Sequence, residues 1–309
     1  MNVITITLNP AIDLQVSEEA IRSADPFSYP IISRESGGKG VNISRALKAF
    51  SKDSLCMIAV GEESADEYLS PLLSEGLNMV AERVMGATRV NLHANGENGD
   101  IVLAGRGACV DNTALFRIKE RALEVVSDGD IVCLCGKLPP DCDKPYVIDM
   151  LLELKARGAR IALDSTSFSL DDITEIYPYM IKPNLDELIT LTESGNIGKS
   201  EVISIAGSLC GTVAENVLVT LGGDGAIYVS SDAAFEILAP KIEPKSTTGA
   251  GDSFIAGYIY ALAEGRELAD ILRIAVAFGT AACLNDGTQP PKPCDVERLI
   301  EQISVVKMQ

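Results

Sequence analysis

The sequence contains no tryptophan and a single histidine, His93, and aromatic residues make up only 5 % of its 309 positions. A core of this composition must be built mostly from aliphatic side chains. One histidine argues against a multi-histidine zinc centre, and a Ser-His-Asp triad or a histidine phosphocarrier would each have to use His93 itself. That residue sits in a polar/apolar alternation, as a strand residue facing a cleft or solvent does, so proton transfer falls mainly to carboxylates. Cations are scarce: 26 Lys and Arg against 44 Asp and Glu leave a formal net charge of −18, with no block of five like charges. Such a body repels nucleic-acid phosphates and anionic membrane surfaces, which argues against either as a partner. An anionic substrate must then be held by a few concentrated lysines and arginines. No apolar run approaches membrane-spanning length, and Asn9, Pro10 and Asp13 interrupt any leader-like start. None of the eight cysteines forms a CxxC pair, and Cys133 and Cys135 alternate inside an apolar run that reads as a buried strand. Small buried thiols in a reducing compartment, the cytoplasm, are the expectation.

What is present is a rhythm. Hydrophobic residues at 47 % and charged residues at 23 % are ordinary for a globular chain, and the length suits one large α/β domain with a small appendage. Short apolar runs at 3–8, 55–60, 131–135, 160–163, 180–182 and 217–221 read as strands. Between them, sets such as Ile43, Leu47 and Phe50, or Val147, Met150, Leu151 and Leu154, recur at helical spacing. This alternation argues for βα units around a mostly parallel sheet, closed by three helices near 252–263, 268–284 and 295–304. Two stretches, 14–35 and 87–103, carry no long helical period and show strand-like alternation with turn signals such as Asn95-Gly96 and Asn98-Gly99. They read as two insertions that meet to form a small β lid.

Five segments carry chemistry. The strongest is Thr247-Thr248-Gly249-Ala250-Gly251-Asp252-Ser253-Phe254, followed by the amphipathic set Phe254, Ile255, Tyr258, Ile259 and Leu262. Its glycines open a helix, where free N–H groups and the helix dipole bind anions. Asp252 then stands where negative charge gathers in phosphoryl transfer; as a carboxylate at a helix start it should be a weak base, which a loose transition state tolerates. A plain helix cap fits the same octapeptide equally well. The second, Ser36-Gly37-Gly38-Lys39-Gly40-Val41-Asn42, is not a Walker A loop, because Ser33 stands five before Gly38 and Gly40 follows the lysine. It suits backbone approach to a polyol, with Lys39 and Asn42 on its oxygens or on a phosphate, or simply a tight helix entry. In Thr88-Arg89-Val90-Asn91-Leu92-His93, strand geometry places Arg89, Asn91 and His93 on one face, where Arg89 and Asn91 could share a ligand, or be an ordinary strand face. Asn184 and Glu187, in a strand-to-helix segment, suit water-mediated Mg²⁺ or a capping box. Val219 to Ala226 is a strand and Gly-rich turn that fits a nucleotide or a hairpin.

Taken together and in order, these segments resemble the ribokinase-like (PfkB) carbohydrate kinases. Within that family they are similar to the branch of 1-phosphofructokinases, tagatose-6-phosphate kinases and minor 6-phosphofructokinases. Further matches are Thr7-Leu8-Asn9-Pro10-Ala11-Ile12-Asp13, Cys135-Gly136-Lys137-Leu138-Pro139-Pro140 and Leu163-Asp164-Ser165-Thr166. The resemblance implies a single three-layer α/β/α domain over residues 1–309 with a β lid, and transfer of the ATP γ-phosphoryl group to a phosphorylated ketohexose. Fructose 1-phosphate comes first, ahead of tagatose 6-phosphate and fructose 6-phosphate. Alternatives are a kinase of an unphosphorylated sugar or nucleoside, and a non-catalytic sugar-phosphate sensor. Asp252 would be the base and Gly249, Ala250 and Gly251 the anion hole. Asp13, Gly38, Lys39, Asn42, Arg89 and Asn91 would hold the sugar phosphate; Asn184 and Glu187 would organise Mg²⁺. Thr220, Gly222, Gly225 and Thr248 would meet ATP. K⁺ near the turn after Cys283 and a homodimer through the lids are implied as well. The chain departs from the branch at Phe27-Ser28, where an arginine is common, and at Lys137, Asp141 and Ser167. Lys137 is therefore expected to supply the positive charge that Ser28 lacks.

Overall fold

The computed structural model describes residues 1–17, 31–95, 101–195 and 197–308. Phe27-Ser28, Gly96 and Asn98-Gly99 lie outside these residues. Among the described residues the main sheet has ten strands. Its parallel part runs β5 (Met79–Val84), β4 (Leu55–Gly61), β1 (Val3–Thr7), β8 (Ile131–Cys135), β9 (Arg160–Asp164), β10 (Met180–Ile181) and β11 (Asn216–Thr220). Antiparallel β12 (Ala226–Ser230), β13 (Ala234–Leu238) and β14 (Ser304–Met308) extend one edge. Strands such as Val3–Thr7 and Ile131–Cys135 are buried at every position, because helices cover both faces.

On one face lie α1 (Lys39–Ala49), α8 (Ala250–Ala263), α9 (Leu268–Ala282) and α10 (Pro293–Ile300), which bury Ile43, Leu47, Ile255, Ile259 and Phe278. The other face carries α3 (Asn112–Val125), α4 (Lys144–Ala156), α5 (Leu170–Ile176), α6 (Leu185–Thr192) and α7 (Lys199–Leu209), burying Leu115, Leu151, Ile173, Leu188 and Val202. Each such aliphatic side chain contributes roughly 1.5–3 kcal/mol on burial. A third, smaller cluster packs α2 (Ala65–Ser74) against Ile12 and Leu14 of the second sheet.

That second sheet has the order β3 (Ile31–Gly37), β2 (Ala11–Ser17), β6 (Arg89–Asn95) and β7 (Ile101–Ala104). It is the smaller β-sheet expected beside the main one, with 18–30 and 96–100 of the two expected lid stretches outside the described residues; its first strand begins at Ala11, so Asp13 belongs to it. Two further differences from the sequence reading are at sheet edges. Strand β5 is only half-buried, so no clean apolar run marks it. The last helix stops at Ile300, and the alternating Val305, Val306 segment turns back as β14. Inside the sheet, the strand-and-turn at 217–226 takes its hairpin alternative, with β11 paired to β12.

Candidate active site

Strand β1 is flanked by β4 and β8, so the chain order reverses beside it. In open α/β sheets the crevice beyond the carboxyl ends of strands at such a reversal is where ligands bind. Residues just beyond β1 and β8, the end of β9 and the start of α8 all converge there.

Gly249 is the N-cap of α8 in the left-handed conformation, φ 80°, which a side chain disfavours. Among the described residues the amides of Gly251 and Asp252 find no backbone acceptor, so both remain free to bind an anion. A Cβ at Gly251 would lie 3.2 Å from the Lys182 ammonium, so the amine is brought up against the same turn. Asp252 is buried, and its Oδ2 accepts a 2.8 Å hydrogen bond from Asn42 Nδ2. Burial, followed by the nearby Asp164 charge, pushes its carboxyl up to about 6, although Lys39, Asn42 and Lys182 pull the other way. This corrects the expectation of a weak base: loss of hydration outweighs the helix start, which acts through partial charges only.

Asp164, at the end of β9, is buried between two lysines. Lys39 Nζ donates to its Oδ2 at 3.0 Å and Lys182 Nζ lies 3.6 Å from its Oδ1. Burial alone would raise this carboxyl, but Lys182 and Lys39 together hold it below the usual range. Burial opposes the Lys39 charge too, yet Asp164, Asp252 and Glu187 keep that ammonium above its ordinary value. Two cations are thereby fixed beside the anion turn in a protein with few to spare. Gly38 serves as the N-cap of α1, ahead of Lys39.

The lid supplies the opposite wall. Parallel pairing puts Arg89, Asn91 and His93 in register with Ala11, Asp13 and Gln15, all on one face. Asp13 Oδ1 accepts from Asn91 Nδ2 at 2.8 Å and lies 3.0 Å from His93 Nε2. Arg89 Nε donates to the Pro10 carbonyl at 3.4 Å; burial holds its guanidinium below the usual value, with Asp13 opposing. Thr248 lines the recess under this sheet with Asp13, His93 and Thr288, whereas Thr247 faces the cavity on the other side of the turn. The Oδ1 atoms of Asn42 and Asn91 are buried without a partner among the described residues. Each amide spends its N–H on a carboxylate, so its oxygen is left as an acceptor without a donor.

Beyond the turn, a cavity of about 360 Å³ is lined by Asn184, Thr220, Gly222, Gly225 and the apolar Ile242, Phe254 and Val276. Asn184 and Glu187 form a reciprocal capping box: Asn184 Oδ1 accepts from the Glu187 amide at 2.8 Å, and Glu187 Oε2 from the Asn184 amide at 2.9 Å. Glu187 Oε1 is left, 4.0 Å from Lys39 Nζ. A larger recess of about 900 Å³ runs from Lys39 and Asp164 past exposed Lys137 to α5 and α6. Ser167, one of the departures, accepts the Leu138 amide at 2.9 Å and so steadies the loop that carries Lys137; Asp141 pairs with Arg106 at 3.0 Å. Sequence reasoning took in Asp164 within a motif and Lys182 at the end of a strand but gave neither a place in the site. Their pairing joins strand ends distant in sequence and leaves no periodic trace.

The sequence profile described as pfkB family carbohydrate kinase matches residues 5–294. The 1-phosphofructokinase of Bacillus subtilis (strain 168) is 28 % identical, with 98 % of this chain and 99 % of that protein covered. The tagatose-6-phosphate kinase of Staphylococcus epidermidis (strain ATCC 35984 / RP62A) is 24 % identical over 99 % of this chain and all of that protein. Among solved structures, phosphofructokinase-2 from Escherichia coli in complex with substrates and products superposes with a TM-score of 0.88 at 26 % identity, covering 98 % of this chain and 99 % of that one. A buried carboxylate beside unpaired helix-start amides and two fixed lysines is what phosphoryl transfer to a hydroxyl requires, and with these matches the chain belongs to the pfkB family of carbohydrate kinases.

Proposed function

We propose that the protein transfers the γ-phosphoryl group of ATP to a hydroxyl of a phosphorylated ketohexose, fructose 1-phosphate first. The observation that carries this reading is Asp252, buried and hydrogen-bonded to Asn42, beside the free amides of Gly251 and Asp252. In the step, the sugar hydroxyl oxygen forms a bond to the γ-phosphorus as the bond from phosphorus to the bridging oxygen breaks. ADP leaves, and the hydroxyl proton passes to the Asp252 carboxylate and then to solvent. The free amides of Gly251 and Asp252, with Lys39 and Lys182, face the charge of the moving group. The unpartnered Oδ1 atoms of Asn42 and Asn91 suit sugar hydroxyl donors. Lys39, Arg89 and Lys137 are more positive charge than a bare polyol needs, which supports a phosphorylated substrate. The cavity at Thr220, Gly222 and Gly225 has the size and apolar lining for an adenosine group.

No cluster of three metal-ligating side chains occurs among the described residues. Mg²⁺ needs none when phosphates supply most of its shell. Glu187, through its free Oε1, and Asn184 through water would hold the ion, which when bound neutralises phosphate charge. K⁺ would bind near the turn after Cys283; the crystal structure of the similar E. coli phosphofructokinase-2 in complex with potassium supports a role for such an ion. The outer face of the lid exposes Ile31, Val90 and Leu103, an apolar surface that supports pairing of two lids in a homodimer. All eight cysteines are free thiols, in keeping with a cytoplasmic protein; no helix among the described residues is long and apolar enough to cross a membrane. The test is ADP release with a panel of sugars and sugar phosphates. Turnover with fructose 1-phosphate or a related ketohexose phosphate is expected. Activity only with unphosphorylated sugars or nucleosides would overturn the substrate class, and binding without any turnover would leave a sensor.

A further inference from the structure

Glu35, on lid strand β3, reaches across the cleft to the loop that follows α9. Its Oε2 accepts from the Thr288 hydroxyl at 2.6 Å and from the Thr288 amide at 3.2 Å, and its Oε1 accepts from Gln289 Nε2 at 2.9 Å. Three donors thus converge on one carboxylate from a segment some 250 residues away in sequence. The loop is shaped for this contact: Gly287 has φ 59°, and a Cβ there would stand 3.1 Å from both Glu35 oxygens. Thr288 is itself buried, and the Cβ position of Gly249, the cap of the anion turn, lies 3.5 Å from Thr288 Cα. A continuous run of contacts therefore leads from the lid through Glu35 and Thr288 to the turn that ends in Asp252.

The other end of this run is the sugar face. Glu35 is the cross-strand partner of Asp13 in the β2–β3 register, so the two carboxylates are neighbours on one surface. Asp13 draws its donors from within the lid, Asn91 and His93. Glu35 draws all of its three from the body of the protein.

We infer that Glu35 is a positioning residue that seats the Gly249–Gly251 anion turn through Thr288, so that the lid strand carrying the sugar contact and the phosphoryl-stabilising turn are set as one unit. This rests on the reading of Asp13 as a sugar contact and Asp252 as the proton acceptor. Glu35 touches neither reacting atom in this arrangement; it acts through the geometry of the turn. A displacement of an ångström at such a turn is enough to cost on the order of a hundredfold in rate.

The experiment compares wild type with Glu35→Ala, Glu35→Gln, Thr288→Val and the Glu35→Ala/Thr288→Val pair in the full chain. Steady-state kinetics with fructose 1-phosphate and ATP is combined with amide hydrogen exchange of residues 247–253 in the unliganded protein. Glu35→Ala and Thr288→Val are each expected to lower kcat by about ten- to a hundredfold while the KM for ATP stays within about twofold. The double variant should be no worse than the weaker single one, because both cut the same connection. Glu35→Gln, which keeps one acceptor oxygen, should fall between wild type and Glu35→Ala. Exchange in 247–253 should accelerate in every variant while that of α4 is unchanged. Multiplicative losses, an unchanged kcat, unaltered exchange at 247–253, or acceleration throughout the chain would each overturn the inference. A wild type that phosphorylates no sugar at all would refute the proposed function instead, and the exchange comparison would still decide the connection.

Discussion

Asp164→Asn is a near-isosteric change that removes the carboxylate bridging Lys39 and Lys182. Lys182 is only 4 % exposed, so its charge cannot be rehydrated without disturbing the strand ends around it. Breaking one side of a buried ion pair typically costs about 3–5 kcal/mol. With an unfolding entropy of about 2.1 cal/mol/K per residue over the 309-residue chain, that corresponds to a fall in Tm of about 5–8 °C. The pH dependence fixes the cause. The Asp164 carboxyl is held below its ordinary value in the folded protein, so its contribution is present above the unfolded value near 3.9 and is lost as pH falls through the folded one. The Tm gap between variant and wild type should be full at pH 7 and close in acid. Asp164 also helps to hold the Asp252 carboxyl up near 6. Without it Asp252 should ionise at lower pH, and the acid limb of kcat/KM should move down. Calorimetry from pH 8 down to below about pH 3 and a pH–rate profile read both effects. A variant as stable as wild type at pH 7, or an acid limb displaced upward, would refute this account of the network.

Three further outcomes are expected. In the wild type, kcat/KM should fall as pH drops through about 6, because protonated Asp252 cannot take the hydroxyl proton; a profile flat from pH 5 to 8 would count against it. Lys137→Ala should raise the KM for the sugar phosphate several-fold with little change in the KM for ATP, as loss of an exposed charged contact of about 0.5–1 kcal/mol implies; an unchanged KM removes Lys137 from the site. Val90→Lys with Leu103→Lys should give a monomer mass by light scattering, if the exposed lid face is where two copies meet.

The parts of the fold that the sequence disclosed are those where both faces of a strand, or one stripe of a helix, are buried. Val3–Thr7 and Ile131–Cys135 are apolar throughout, and the turn into α8 announces itself by glycines followed by a helical period. Strands β5 and β14 were missed because edge strands keep solvent-facing residues such as Arg83 and Lys307 and lose the apolar run. Of the site, residues clustered in short motifs were legible: Asp252 with its glycines, Lys39 with Asn42, Arg89 with Asn91. The Asp164–Lys182 pairing and the Glu35–Thr288 contact were not, since each is made by residues that look unremarkable locally and meet only through topology. The electrostatics of Asp252 were misjudged for a related reason, because a helix start is visible in sequence and the burial of its carboxyl beside Asn42 is not.

The proton-accepting role of Asp252 is tested most directly by Asp252→Asn, whose amide oxygen can still accept from Asn42. ADP production with fructose 1-phosphate and titration of both substrates by calorimetry should be measured on the same preparation. Turnover reduced by at least about a thousandfold, with both dissociation constants within a few-fold of wild type, is the result expected. Retention of a tenth or more of the wild-type kcat would contradict it.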